Sequence, residues 1–182
     1  MSQENNDFGG YRRSPEVLGF YKLSNQVVTP TFATEGSAAF DLRAFLDGTA
    51  VKAYNRYNDT FLAGVGPDNK LSVLPGCRYM VPTGLILDIP EGYYVTVNIR
   101  GGTGLKSGLM LANNTGIVDG DYTQELFVLV SNTSQVIVVL ENGERIAQAK
   151  LEKVNRTVLL EIPAPPGQKT SRNGGFNSTG KK

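Results

Sequence analysis

Tyr93-Tyr94-Val95-Thr96-Val97-Asn98-Ile99 is the stretch whose reading decides the architecture. Tyr93, Val95, Val97 and Ile99 alternate with Tyr94, Thr96 and Asn98, and a period of two gives a strand one buried face and one wetter face. Outward from it, segments of the same kind recur: Val17–Leu23, Phe40–Phe45, Leu71–Leu74, Tyr79–Leu87, Leu126–Val130, Val136–Leu140, Ile146–Leu151 and Val158–Ile162. All are short, rich in β-branched and aromatic residues, and punctuated by Gly, Pro and Asn, so all read as strands. Glu141-Asn142-Gly143 reads as a turn between two of them. Helical signal is confined to Thr103–Ser107 and is weakened by neighbouring glycines. The expected fold is all-β, a sandwich or barrel.

The 182 residues predict one domain with a substantial core. A formal charge of +1 supplies no global field for nucleic acid or a membrane, so basic residues must act locally, as phosphate ligands. Cys77 is the single cysteine, beside Pro75-Gly76, and the chain has no histidine. That excludes Ser-His-Asp and Cys-His catalysis and zinc sites built on imidazole. Acid–base work falls to Asp, Glu, Tyr or Lys, and any metal is a hard cation such as Mg²⁺ held by oxygen. No apolar run approaches the ~20 residues that span a bilayer. The acidic, polar start Met1-Ser2-Gln3-Glu4-Asn5-Asn6-Asp7 is unlike a signal peptide. The expectation is a soluble protein of the cytoplasm, or of the host cytoplasm for a viral chain.

Residues 1–16 read as a flexible N-terminus and 17–162 as the β-domain. Within it, 46–70 are polar and read as an inserted hairpin or excursion, a surface on which a protein partner could sit. Residues 163–182 form a Pro-rich linker and a Gly/Ser/Asn tail that cannot fold alone. Phe176, between Gly174-Gly175 and Asn177, reads as an anchor that orders when ligand is bound.

Three stretches carry chemistry. Gly116-Ile117-Val118-Asp119-Gly120-Asp121-Tyr122 sets two carboxylates and a phenol on one turn, where a carboxylate can activate a water while the ring holds a substrate. Arg100-Gly101-Gly102-Thr103-Gly104-Leu105-Lys106 can cradle an anion on successive backbone N–H groups. The tail Arg172–Gly180 joins a cation and an aromatic in a glycine-rich setting.

Ala38-Ala39-Phe40-Asp41-Leu42, Arg100–Gly108, Gly116–Tyr122, Gly143-Glu144-Arg145-Ile146-Ala147-Gln148 and Arg172–Gly180 resemble, in order, the five motifs of the homotrimeric dUTPases. The resemblance covers about residues 17–45 and 71–180. It implies a jelly-roll-like sandwich or barrel with a flexible C-terminal arm. It also implies Mg²⁺-dependent hydrolysis of dUTP to dUMP and pyrophosphate, which keeps uracil out of DNA and supplies dUMP for thymidylate synthesis. Asp119 would be the base for a water attacking the α-phosphorus. Tyr122 would stack on the deoxyribose and reject a 2′-hydroxyl. Asn113, with hairpin backbone near Gly116, would read uracil. Arg100, Gly101, Gly102, Thr103 and Gln148 would meet the phosphates, and Arg145 would be structural at a subunit boundary. Asp41 would orient waters on Mg²⁺ carried mainly by the triphosphate. From the arm, Phe176 would stack on uracil, Arg172 would grip the γ-phosphate, and Ser178 and Thr179 would add hydrogen bonds. Three subunits would share each site.

The chain departs from the family pattern at several positions. Gly101 stands where the family has Ser, with Thr103 or Ser107 as possible replacements. Only Asn173 separates Arg172 from Gly174-Gly175, Asn177 replaces a frequent Gly, and Gln124 stands where relatives often have Gly. Two other readings remain: a dCTP deaminase of the same fold, and a nucleotide-binding regulatory protein that has lost turnover.

Overall fold

The described residues, 16–170, of a computed structural model are almost entirely strand and turn. In chain order the elements are β1 (Gly19–Lys22), β2 (Phe40–Arg43), β3 (Val51–Tyr54), β4 (Thr60–Ala63), β5 (Lys70–Val73), β6 (Arg78–Asp88) and β7 (Tyr93–Ile99). They continue with α1 (Gly101–Ser107), β8 (Leu109–Leu111), β9 (Gly116–Val118), β10 (Glu125–Asn132), β11 (Val138–Glu141) and β12 (Arg145–Lys153). One sheet runs β4-β3-β6-β10-β8, with β1 also paired to β6; a second runs β2-β12-β7-β9; β11 and β5 form a third. The pairings are antiparallel. The result is a jelly-roll-like sandwich.

Alternation along each strand builds the core. Leu126, Val128 and Val130 of β10 point inward, as do Val95 and Val97 of β7, and meet Ile146, Ala147 and Ala149 of β12. Each large apolar side chain so buried stabilises by about 1.5–3 kcal/mol before entropy is counted. The other faces of β6 and β10 carry Met80, Phe127 and Leu129, half-buried and apolar, and this second surface matters for the site.

The longest strand, β6, is bulged. Glu125 lies opposite Ile86 but Phe127 lies opposite Pro82, so Thr83, Gly84 and Leu85 together face Leu126. Gly84 sits at φ +68°, and a Cβ there would stand 2.3 Å from Val27 Cγ2, so conformation and space both require glycine. Side chains replace the lost ladder bonds: Gly84 N donates to Glu125 Oε1 at 2.8 Å, and Thr83 Oγ1 donates to the Leu126 carbonyl at 2.6 Å.

Residues 46–70 do not hang off the fold. β3 and β4 form a hairpin that pairs with β6 through Ala53–Tyr79 and Tyr54–Arg78, and Val51 and Ala53 are buried in the core. Phe61 packs edge-on against Tyr79, with ring centroids 6.0 Å apart. A polar segment joins a sheet here because only alternate residues need be apolar.

One expected strand is absent. Val158–Ile162 has no strand conformation, and Val158, Leu159 and Leu160 are at least 80% exposed. β-propensity specifies fit to a sheet surface, and a strand also needs a neighbouring backbone to pair with. No described strand pairs with this segment.

Candidate active site

The connection from β9 to β10, which crosses from one sheet to the other, carries the carboxylates. Tyr122 N donates to the Asp119 carbonyl at 3.1 Å, closing the Asp119-Gly120-Asp121-Tyr122 turn. Asp119 is exposed at its tip. The Tyr122 ring folds back along the start of β10, and its hydroxyl donates to the Glu125 carbonyl at 2.8 Å. On the preceding connection, Asn114 takes the left-handed region at φ 60°, which asparagine tolerates, and its N–H donates to the Leu111 carbonyl. That turn brings Asn113 alongside Gly116. A Cβ on Gly116 would stand 3.0 Å from Val97 Cβ and 3.6 Å from Asn113 Nδ2, so glycine lets β9 lie close to β7.

Asn113, Gly116, Asp119 and Tyr122 line one cleft of about 470 Å³ whose floor is Met80, Val97, Leu111, Phe127 and Leu129. Such a site, apolar with a few convergent polar groups, suits a flat heterocycle and sugar. Met80, Phe127 and Leu129 escape motif reading, because their only signal is the second face of β6 and β10. Beyond the turn, burial pushes the Glu125 carboxyl above its ordinary value; the Gly84 N–H works against the rise and the Asp47 carboxylate adds to it.

A second group gathers at the start of β12. Arg100 Nε lies 2.8 Å from Asp41 Oδ1 and Arg145 Nη1 3.2 Å from Asp41 Oδ2, so one carboxylate bridges two guanidiniums. Gln148 lies opposite Asp41 across the β12–β2 pair. α1 begins after Arg100, its first bond running from Gly104 N to the Arg100 carbonyl, and Gly101 and Gly102 are exposed. This corrects one expectation. Thr103 is buried, with Oγ1 3.5 Å from the Arg145 carbonyl, so its hydroxyl faces β12 and does not replace a serine at 101. Asp41 holds one arginine on each oxygen, which also gives Arg145 a charge-pairing role within the chain.

The described residues contain no group of three or more His, Cys, Asp or Glu able to hold a metal ion. With Asp41 bridged by arginines, the described residues offer no donor set of their own for Mg²⁺. Neither Asp41 nor Arg100, Gly101, Gly102, Thr103 or Gln148 lines the cleft under Asp119, so one chain does not bring the two groups into a single cavity. Arg172, Phe176, Ser178 and Thr179 lie outside the described residues.

The fold and the cleft together present an exposed carboxylate over an apolar floor on a jelly-roll-like sandwich. A family model described as dUTPase matches residues 67–180. The deoxyuridine 5'-triphosphate nucleotidohydrolase of Rhizobium etli is 38% identical, covering 90% of this chain and 94% of its own. Its counterpart from Chlamydia felis is 33% identical over 90% of this chain and 98% of its own. The chain belongs to the dUTPase family. Among solved structures, the dUTPase of Streptococcus mutans superposes with a TM-score of 0.57 at 24% identity, over 79% of this chain and 99% of that one. A mutant of the Staphylococcus bacteriophage 80alpha dUTPase with dUpNHpp gives a TM-score of 0.68 at 18% identity, over 91% and 99%. These two likenesses concern the fold alone. Among the described residues no helix is long and apolar enough to cross a membrane.

Proposed function

We propose that this chain hydrolyses dUTP to dUMP and pyrophosphate, by attack of water on the α-phosphorus. The observation that carries the reading is the convergence of Asp119, Tyr122, Asn113 and Gly116 on one apolar cleft in a member of the dUTPase family. Asp119, exposed and with no histidine in the chain to compete for the role, takes the proton of the attacking water. Asn113 and the neighbouring backbone pair with the uracil edge; cytosine would leave those groups unpaired, at about 1–3 kcal/mol each. The Tyr122 ring packs on the deoxyribose where a 2′-hydroxyl would collide with it.

Arg100, the amides of Gly101, Gly102 and Thr103, and Gln148 receive the phosphates. Because they do not line the cleft of their own chain, a second copy supplies them, in the homotrimer with shared sites that the family resemblance implies. The exposed Val158–Ile162 segment accords with burial against another chain. Mg²⁺ carried by the triphosphate would offset its charge, and Asp41 would meet it only through water. Arg172, Phe176, Ser178 and Thr179 close the arm over the nucleotide. The exposed Tyr57 and Leu62 of the β3–β4 hairpin are the surface offered to any protein partner, and the setting is the cytoplasm.

Product analysis with dUTP, dTTP, dCTP and UTP, with Asp119→Asn as control, tests the reading. Selective release of dUMP and pyrophosphate, lost in the variant, is the expected result. Deamination of dCTP, or tight dUTP binding without turnover, would overturn it.

A further inference from the structure

The Tyr122 ring is poorly held by packing. It is 39% exposed, and its hydroxyl donates to the backbone carbonyl of Glu125 at 2.8 Å. A ring that must reject a 2′-hydroxyl by collision can do so only if it cannot swing aside. Selectivity therefore depends on how firmly that carbonyl is placed.

The carbonyl belongs to the residue where β10 meets the bulge of β6. At that point the ladder is interrupted, and the Glu125 carboxylate closes the gap by accepting the Gly84 N–H at 2.8 Å. Gly84 is locked in turn. Its carbonyl accepts Leu23 N at 2.9 Å, its φ is +68°, and Val27 and Phe45 press on its α-carbon. Thr83 Oγ1, on the Leu126 carbonyl at 2.6 Å, fixes the next residue. One side chain thus connects a rigid junction of three segments to the backbone atom that holds the phenol. The geometry points to Glu125 as a positioning residue of the candidate active site: its carboxylate on Gly84 N–H fixes the Glu125 carbonyl, and that carbonyl fixes the Tyr122 ring against the sugar. This rests on the proposed placing of Tyr122 at the deoxyribose.

Glu125 touches no substrate, so the signature is a change in discrimination and not a general loss of rate. The test measures kcat/KM for dUTP and for UTP with the full chain, with thermal unfolding alongside. The proteins are wild type, Glu125→Ala, Glu125→Asp, Glu125→Gln, Tyr122→Phe and the Glu125→Ala/Tyr122→Phe double variant. Glu125→Ala is expected to lower the dUTP-to-UTP ratio by about three- to tenfold, the net worth of one hydrogen bond. Glu125→Asp, one methylene too short to reach Gly84, lowers it similarly and serves if the alanine variant does not fold. Glu125→Gln keeps the ratio, because its amide oxygen still accepts the Gly84 N–H. In the Tyr122→Phe background Glu125→Ala changes the ratio no further, since the link it acts through is already cut.

An unchanged ratio in folded Glu125→Ala or Glu125→Asp overturns the inference and leaves the proposed function standing. So does an equal loss on both substrates, or an additive effect in the double variant. If wild type itself does not prefer dUTP to UTP, the placing of Tyr122 fails and the inference with it.

Discussion

Asp41→Asn removes the charge that bridges Arg100 and Arg145 and changes almost no volume. In the folded chain the carboxylate is 13% exposed and meets Arg100, 29% exposed, at 2.8 Å and Arg145, 44% exposed, at 3.2 Å. A hydrogen bond to a charged group is worth about 1.5–3 kcal/mol, and the partly buried Arg100 contact belongs near the lower end. The Arg145 contact is wetter and falls in the range of surface pairs, about 0.2–1 kcal/mol. The amide still accepts one hydrogen bond, but it leaves two guanidiniums side by side without a counter-charge. Together these give a loss of about 2 kcal/mol. For a chain of 150–250 residues, about 2–4 °C of melting temperature accompanies each kcal/mol, so a fall of about 4–8 °C is expected. Calorimetry at one fixed chain concentration is the assay, because association would itself move the midpoint. Raising salt from 0.05 to about 0.5 M should narrow the gap by the screened Arg145 share and leave most of the Arg100 share. A melting temperature within about 1 °C of wild type would refute the reasoning, because the bridge would then contribute nothing beyond what hydrated arginines achieve alone.

Three other outcomes are expected. A Cβ at Gly101 meets no atom within 4 Å, so Gly101→Ser should fold normally and lower the KM for dUTP about three- to tenfold by adding one phosphate donor, read in steady-state kinetics. Gly84→Ala combines a left-handed backbone with a 2.3 Å clash on Val27; strain of about 1–2 kcal/mol plus overpacking of about 1–3 kcal/mol should appear as a large fall in denaturation midpoint. Because burial raises the Glu125 carboxyl above its ordinary 4.5, the folded chain holds that proton more tightly than the unfolded one. Its contribution is full below 4.5 and lost as pH rises through the raised value. Melting temperatures should therefore move against wild type, relative to Glu125→Gln, as pH climbs from about 4 to 7.

The period-two pattern of Tyr93–Ile99 determined the class of fold, because alternation is a local consequence of strand geometry and needs no partner to be read. The absence of histidine likewise left any acid–base work, before any coordinates, to Asp, Glu, Tyr or Lys. Ordered motifs placed Asp119, Tyr122, Asn113 and Gly116 in one site, and the cleft unites them. Tertiary structure alone decided the rest. Val158–Ile162 has strand composition, yet whether it pairs depends on a backbone elsewhere. The polar 46–70 stretch joins the main sheet because β6 offers an edge to it. Thr103 turns its hydroxyl inward, and Asp41 bridges two arginines, because β12 brings Arg145 beside both. Glu125 is the plainest case. In sequence it is one more polar residue at the start of a strand, and only the bulge of β6 at Gly84 gives its carboxylate a partner and a task.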